Sequence, residues 1–94
     1  LVFYVPNSFT PDGNENNNEF TPVFSSKRKV GNYSLSIYDR WGEIVFETKD
    51  IDFGWDGTYK NKAAQIGTYT WQLQFTNLFN SKKELINGHV NLLR

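Results

Sequence analysis

The stretch at residues 68–76 constrains this chain more than any other. Tyr69, Trp71, Leu73 and Phe75 alternate without a break with Thr70, Gln72, Gln74 and Thr76. Successive side chains of an extended strand point to opposite faces, so a period of two lays down one apolar face and one wet face. A helix, with its period of 3.6, would scatter the same residues around its axis. A half-buried strand of this kind needs a second apolar layer over its inner face.

The rest of the chain reads as the material for that layer. Tyr33, Leu35 and Ile37 alternate with Ser34 and Ser36, and Tyr38 and Asp39 extend the pattern. Arg40, Trp41 and Gly42 make a turn, and residues 43–48 return, which is a hairpin signature. Gly42 suits the positive φ of that turn, and Trp41 is expected to cover one end of the core. Residues 84–94 form the last strand, with Ile86, Val90 and Leu92 facing inward and a neighbour expected at its side.

Residues 1–5 are a short apolar run stopped by Pro6. Residues 20–24, interrupted by Pro22, suit an edge strand, and residues 58–60 a brief one. Residues 7–19, 25–32, 49–57, 61–67 and 77–83 read as loops and turns. Within them, Trp55, Asp56 and Gly57 suggest a turn closed by the Asp side chain. No apolar helical period persists. The expectation is all-β: an Ig-like antiparallel β-sandwich of about seven strands, one domain over residues 1–94. Eight Phe, five Tyr and three Trp are enough aromatic volume to fill its core. A chain that opens on a strand with no initiator Met is expected to be a piece of a longer polypeptide.

The chemistry of catalysis is sparse. There is one His, His89, placed within a strand, and no Cys. Disulfides, thiolate metal sites and Cys nucleophiles are therefore excluded. No nucleophile-elbow or phosphate-loop spacing occurs. Asp52 and Asp56 could mimic a glycosidase pair, but so short a chain leaves little room for a cleft. An enzyme is not expected. Lys+Arg and Asp+Glu balance at 10 each, so the composition points to no nucleic acid partner. Lys27, Arg28 and Lys29 make the densest basic spot and read as a solvated loop. No apolar run approaches the ~20 residues of a membrane-spanning helix.

Two binding readings remain open at this level. Asp12, Asn14 and Asn16 place oxygen-bearing side chains at alternate positions, as the opening of a calcium loop does, and Glu19 would add charge. The sixth position is Asn17 rather than Gly and the twelfth is Val23 rather than Glu, so the competing reading is an Asn-rich turn bonded to its own backbone. Separately, Trp41, Trp55 and Tyr59, if exposed and coplanar, would make a platform for stacking sugar rings in a glycan-binding module.

Five segments taken in order carry a resemblance. They are Val5 to Asn14 with its Pro6, Asn7, Ser8, Phe9, Thr10, Pro11, Asp12 and Gly13; Ile37 to Phe46 around Asp39, Arg40, Trp41 and Gly42; Gly54, Trp55, Asp56 and Gly57; Gly67 to Trp71; and Gly88 to Arg94. Together they resemble the type B C-terminal sorting domain of the bacterial type IX secretion system, also called the gliding motility-associated C-terminal domain, found in the Bacteroidota. The resemblance covers essentially the whole chain. Related sequences look richer in Asp and Gly in the first loop, where this chain has Glu15, Asn17 and Asn18.

The resemblance implies a sorting signal that directs a large cargo, such as a gliding adhesin, through the outer-membrane translocon to the cell surface or medium after periplasmic transit. The implied partners are the translocon, outer-membrane shuttle proteins and upstream cargo domains of the same chain. Recognition is expected at the strand that ends the chain, at Gly88, His89, Leu93 and Arg94, where an exposed edge could be read by strand addition.

Overall fold

The computed structural model describes residues 1–11 and 18–94. In chain order these form β1 (Phe3–Tyr4), β2 (Ser8–Phe9), β3 (Val23–Phe24), a single 3-10 turn (Lys27–Lys29), β4 (Val30–Tyr38), β5 (Ile44–Thr48), β6 (Thr58–Tyr59), β7 (Lys62–Ala63), β8 (Gly67–Asn77) and β9 (Lys82–Leu92). The described residues are all-β, and their layout is a lopsided sandwich. One layer is a five-stranded sheet in the order β2-β9-β8-β4-β5. The other is assembled from fragments: the β1-β3 pair, a bridge between Phe20 and Trp55, and the β6-β7 hairpin.

The alternating strand β8 is the spine. Its partner β4 pairs Leu35 with Leu73 and Ile37 with Trp71, and β9 pairs with it along its whole length from Gly67↔Leu92 to Asn77↔Lys82. Tyr69, Trp71, Leu73 and Phe75 are buried, as the period of two requires. Each aromatic of that row meets one or more aromatics from the fragmentary layer. Trp55 lies 4.9 Å from Tyr69 and Phe20 6.4 Å from Trp71, while Phe24 and Phe3 lie 5.2 and 5.6 Å from Phe75. Side chains rather than a ladder of hydrogen bonds hold the second layer down, which is why its strands can be two residues long.

Three features differ from the sequence expectation. Residues 8–9 lie outside any loop: they are β2, paired in parallel with β9 at Ser8↔Asn91 and Phe9↔Leu92, so the sandwich is not wholly antiparallel. Pro6 explains the switch. It has no N–H to continue the ladder with β3, and the chain crosses from one layer to the other there. The strand count among the described residues is nine rather than about seven, because short pairs such as β6-β7 also qualify. Finally, β4, β8 and β9 run further than their apolar alternation, shrinking the last hairpin loop to residues 78–81.

Ile86, Val90 and Leu92 face inward as expected. Gly88 shares their face and is where β9 admits the Trp71 ring. A Cβ placed there would stand 2.4 Å from Trp71 Cζ2, so no larger residue fits.

Candidate functional site

The end of the sandwich where β9 finishes gathers most of the residues that the sequence singled out. Asn91 N–H donates to the Asn7 carbonyl (2.9 Å) and Leu93 N–H to the Phe9 carbonyl (3.0 Å), so β9 has neighbours on both sides there. Arg94 then turns across the end. Its Nη2 donates to the carbonyls of Gly57 (2.9 Å) and Ala64 (3.1 Å) and ties the strand to the β6-β7 hairpin. Gly88 and Arg94 thus hold the last strand in place, by leaving room for Trp71 and by spanning the two layers. His89 and Leu93 are exposed. His89 lies in register with Thr70, and Thr70 with Tyr38, in one row across the outer face. The edge of β9 is covered by β2 at its finish, so strand addition at residues 91–93 would have to displace β2.

The same end carries a surface that sequence reasoning placed wrongly. Trp41 does not cover the core: it is 81% exposed. The reason is local. Asp39 Oδ1 accepts the N–H groups of Trp41 and Glu43, both at 2.9 Å, and Gly42 N–H donates to the Asp39 carbonyl (3.0 Å) with φ +83 at Gly42. Backbone and carboxylate close this turn by themselves, and the indole is left outside with the Arg40 guanidinium 5.7 Å from its ring. A cleft of about 220 Å³ opens beside it, lined by Arg40, Trp41, Tyr59, Ile66, Thr68 and Tyr69 among others. The Tyr59 hydroxyl donates to Glu43 Oε1, and that bond holds Tyr59 protonated above its ordinary range. The Tyr69 hydroxyl donates to the Gln65 carbonyl (2.6 Å), and burial raises its pKa.

Trp55 is the reverse case. It is 0% exposed, its Nε1 donates to the Thr58 carbonyl (2.9 Å), and its backbone bonds Phe20 in both directions (2.8 and 3.0 Å). Trp55 is therefore lost to the sugar-stacking platform of Trp41, Trp55 and Tyr59, while Trp41 and Tyr59 both line the cleft. The turn after Trp55 is closed as expected, Asp56 Oδ1 accepting Thr58 N–H (3.1 Å).

Of the calcium-loop residues, Asp12, Asn14 and Asn16 lie outside the described residues. Glu19 is exposed and packs against Gly54. Among the described residues no cluster of three or more His, Cys, Asp or Glu could hold a metal, and no helix is long and apolar enough to cross a membrane.

The described residues thus form an aromatic-stitched β-sandwich with an exposed Trp41, a paired Arg94 and a pinned β9. The chain belongs to the CHU_C family of type IX secretion signal domains, whose model matches residues 3–92. Its function is that of a sorting signal for type IX secretion, with the secretion system as partner and the cell surface or medium as destination. The family's role is non-catalytic. A solved structure from a study of PorZ, an essential bacterial surface component of the type IX secretion system of Porphyromonas gingivalis, shares the fold. The TM-score is 0.51 at 15% identity, over 99% of this chain and 11% of that one. The chain thus spans about a tenth of that protein, and the likeness bears on the fold alone. A sequence comparison with curated proteins finds no match.

Proposed function

We propose that the type IX translocon and its outer-membrane shuttle proteins read the folded domain at the end where β9 finishes, through Trp41, His89 and Leu93. Gly88 and Arg94 act beneath that surface by fixing the strand that presents it. The passenger is a large surface protein of the adhesin kind joined to this domain. It crosses the periplasm before export, and the domain contributes no catalysis.

The observation that carries this reading is the pinning of Arg94 to Gly57 and Ala64 beside an indole left 81% exposed. A rigid backbone with protruding aromatic and aliphatic groups is what a partner can bind at little ordering cost, and Trp and Arg are enriched among the residues that dominate such contacts.

Deleting residues 88–94 is a poor test, since it removes Val90 and Leu92 from the core. Point substitutions are better. A reporter with an export signal, fused to Leu1–Arg94 in a host with an active type IX system, should reach the surface or medium. Trp41→Ala, His89→Ala and Leu93→Ala, each still folded by thermal melting, should leave it in the periplasm. Export of all three at the unsubstituted level contradicts the assignment.

A further inference from the structure

The opposite end of the sandwich, one β9 length away or about 33 Å at the usual strand rise, carries a different surface. There the β8-β9 hairpin closes through residues 78–81. Asn77 Oδ1 accepts Phe79 N–H (2.9 Å), and Asn80 Oδ1 accepts Lys82 N–H (3.0 Å). Leu78 N–H donates to the Lys29 carbonyl (2.9 Å), which fastens the tip to the 3-10 turn. The polar backbone of the tip is thus bonded from within, while Leu78 and Phe79 stand 47% and 61% exposed.

Cations surround them. Lys27, Arg28, Lys29, Lys82 and Lys83 are all exposed, five of the 10 Lys and Arg residues of a chain with no net charge. Lys29 Nζ lies 5.3 Å from the centre of the Phe79 ring. The facing carboxylates come from the loop after β5. Asp52 is engaged by Lys27 at 2.7 Å, and Asp50 accepts the N–H of Asp52 (2.9 Å). Glu84 lies on the inner face of β9 beside the buried Phe75 of β8 and is half-buried. The excess at this end is positive.

We propose that this end docks on a lipid bilayer with anionic, phosphate-bearing headgroups. Leu78 and Phe79 enter between the headgroups, and the five cations sit at headgroup level around them. The arrangement favours a bilayer over a folded partner because the exposed apolar pair lies in the four-residue loop that closes the β8-β9 hairpin. A protein would need a matching socket lined with acid, whereas a headgroup layer yields to the tip and supplies the charge. Two apolar side chains and a screened patch make the docking shallow, reversible and sensitive to salt. It does not depend on which residues the secretion system reads at the other end.

The test is co-sedimentation of the 94-residue chain with phosphatidylglycerol-rich vesicles and with pure phosphatidylcholine vesicles. The chain should pellet with the first and not the second, and high salt should release it. Lys29→Gln, Lys82→Gln and Lys83→Gln should each weaken partitioning by about fivefold. Phe79→Ser should weaken it at least as much. Lys62→Gln, which removes the same charge from the β6-β7 hairpin, should have no effect. All of these side chains are exposed, so the melting temperature should stay constant. The inference is overturned if the chain does not prefer anionic vesicles, if Phe79→Ser binds as before, or if Lys62→Gln weakens binding as much as the tip lysines do.

Discussion

The two ends of this sandwich are built from the same strands and present opposite surfaces. Where β9 finishes, the chain is held by side chains that bridge the layers: Arg94 on Gly57 and Ala64, and the Trp55 ring on Tyr69 and Phe9. The surface left over is aromatic, with Trp41 and Arg40 beside a cleft. Where β9 begins, a hairpin tip satisfies its own backbone and leaves Leu78, Phe79 and a ring of lysines outside. The lesson is that in a small domain whose second layer is fragmentary, what a residue does depends on which end bonds it, more than on its type.

The two tryptophans of the aromatic end sharpen this most. Trp55→Ala should cost about 3–5 kcal/mol in denaturant unfolding, because it empties a fully buried site and frees the Thr58 carbonyl. Trp41→Ala should stay within about 0.5 kcal/mol. Comparable losses would erase the distinction between the core ring and the presented ring.

Gly88→Ala comes next, at about 1–3 kcal/mol, since the added methyl meets Trp71 at 2.4 Å. The double substitution Gly88→Ala with Trp71→Phe should recover part of that cost over Trp71→Phe alone, because the clash is with the indole's six-membered ring. A clean sum of the two costs would show that Gly88 serves something other than that contact.

Alkali tests the interior that both ends share. Burial raises the hydroxyl pKa of Tyr33, and of Tyr69, above the ordinary 10.0. The folded state therefore holds these protons more tightly than the unfolded chain does. Their contribution is fully present below pH 10 and is lost as pH rises through the folded-state values. Stability measured from pH 7 upward should be flat with respect to these groups to about pH 10 and fall beyond it. Ionisation of every tyrosine near pH 10 in a chain that remains folded would contradict that burial.

Arg94→Ala should have the smallest measurable effect, about 1 kcal/mol, since its two bonds to carbonyls lie at a partly wet surface. Arg94→Lys should recover little of it, because one ammonium cannot match the fork of a guanidinium.

The main sheet is legible in the amino-acid order and the two ends are not, for physical reasons. Residues 68–76 and 33–37 announce their faces because every second residue is apolar, and the inward set of β9 follows from Ile86, Val90 and Leu92. Ser8 and Phe9 carry no period at all. They become a strand only because β9 offers an edge to them from more than 80 residues away. Trp41 and Trp55 each stand beside glycine and acid in a turn, so local composition cannot separate them. Phe20, reaching Trp55 by a backbone bridge across 35 positions, draws one ring inward, while Asp39 closes the other turn unaided. Arg94 was legible as a cation near the chain end, but its pairing with Gly57 and Ala64 depends on a hairpin that only the folded layers bring near. Lys27, Arg28 and Lys29 are exposed, as a solvated connection requires, but the nearness of Lys29 to Leu78 and Phe79 depends on contacts that only the fold supplies.

The central claim is that the secretion system reads the presented surface where β9 finishes. The most direct measurement is export of the reporter fusion carrying Trp41→Ala with Leu93→Ala, scored beside its melting temperature. The account predicts an unchanged melting temperature and a reporter retained in the periplasm. Wild-type export from that folded double variant would contradict it.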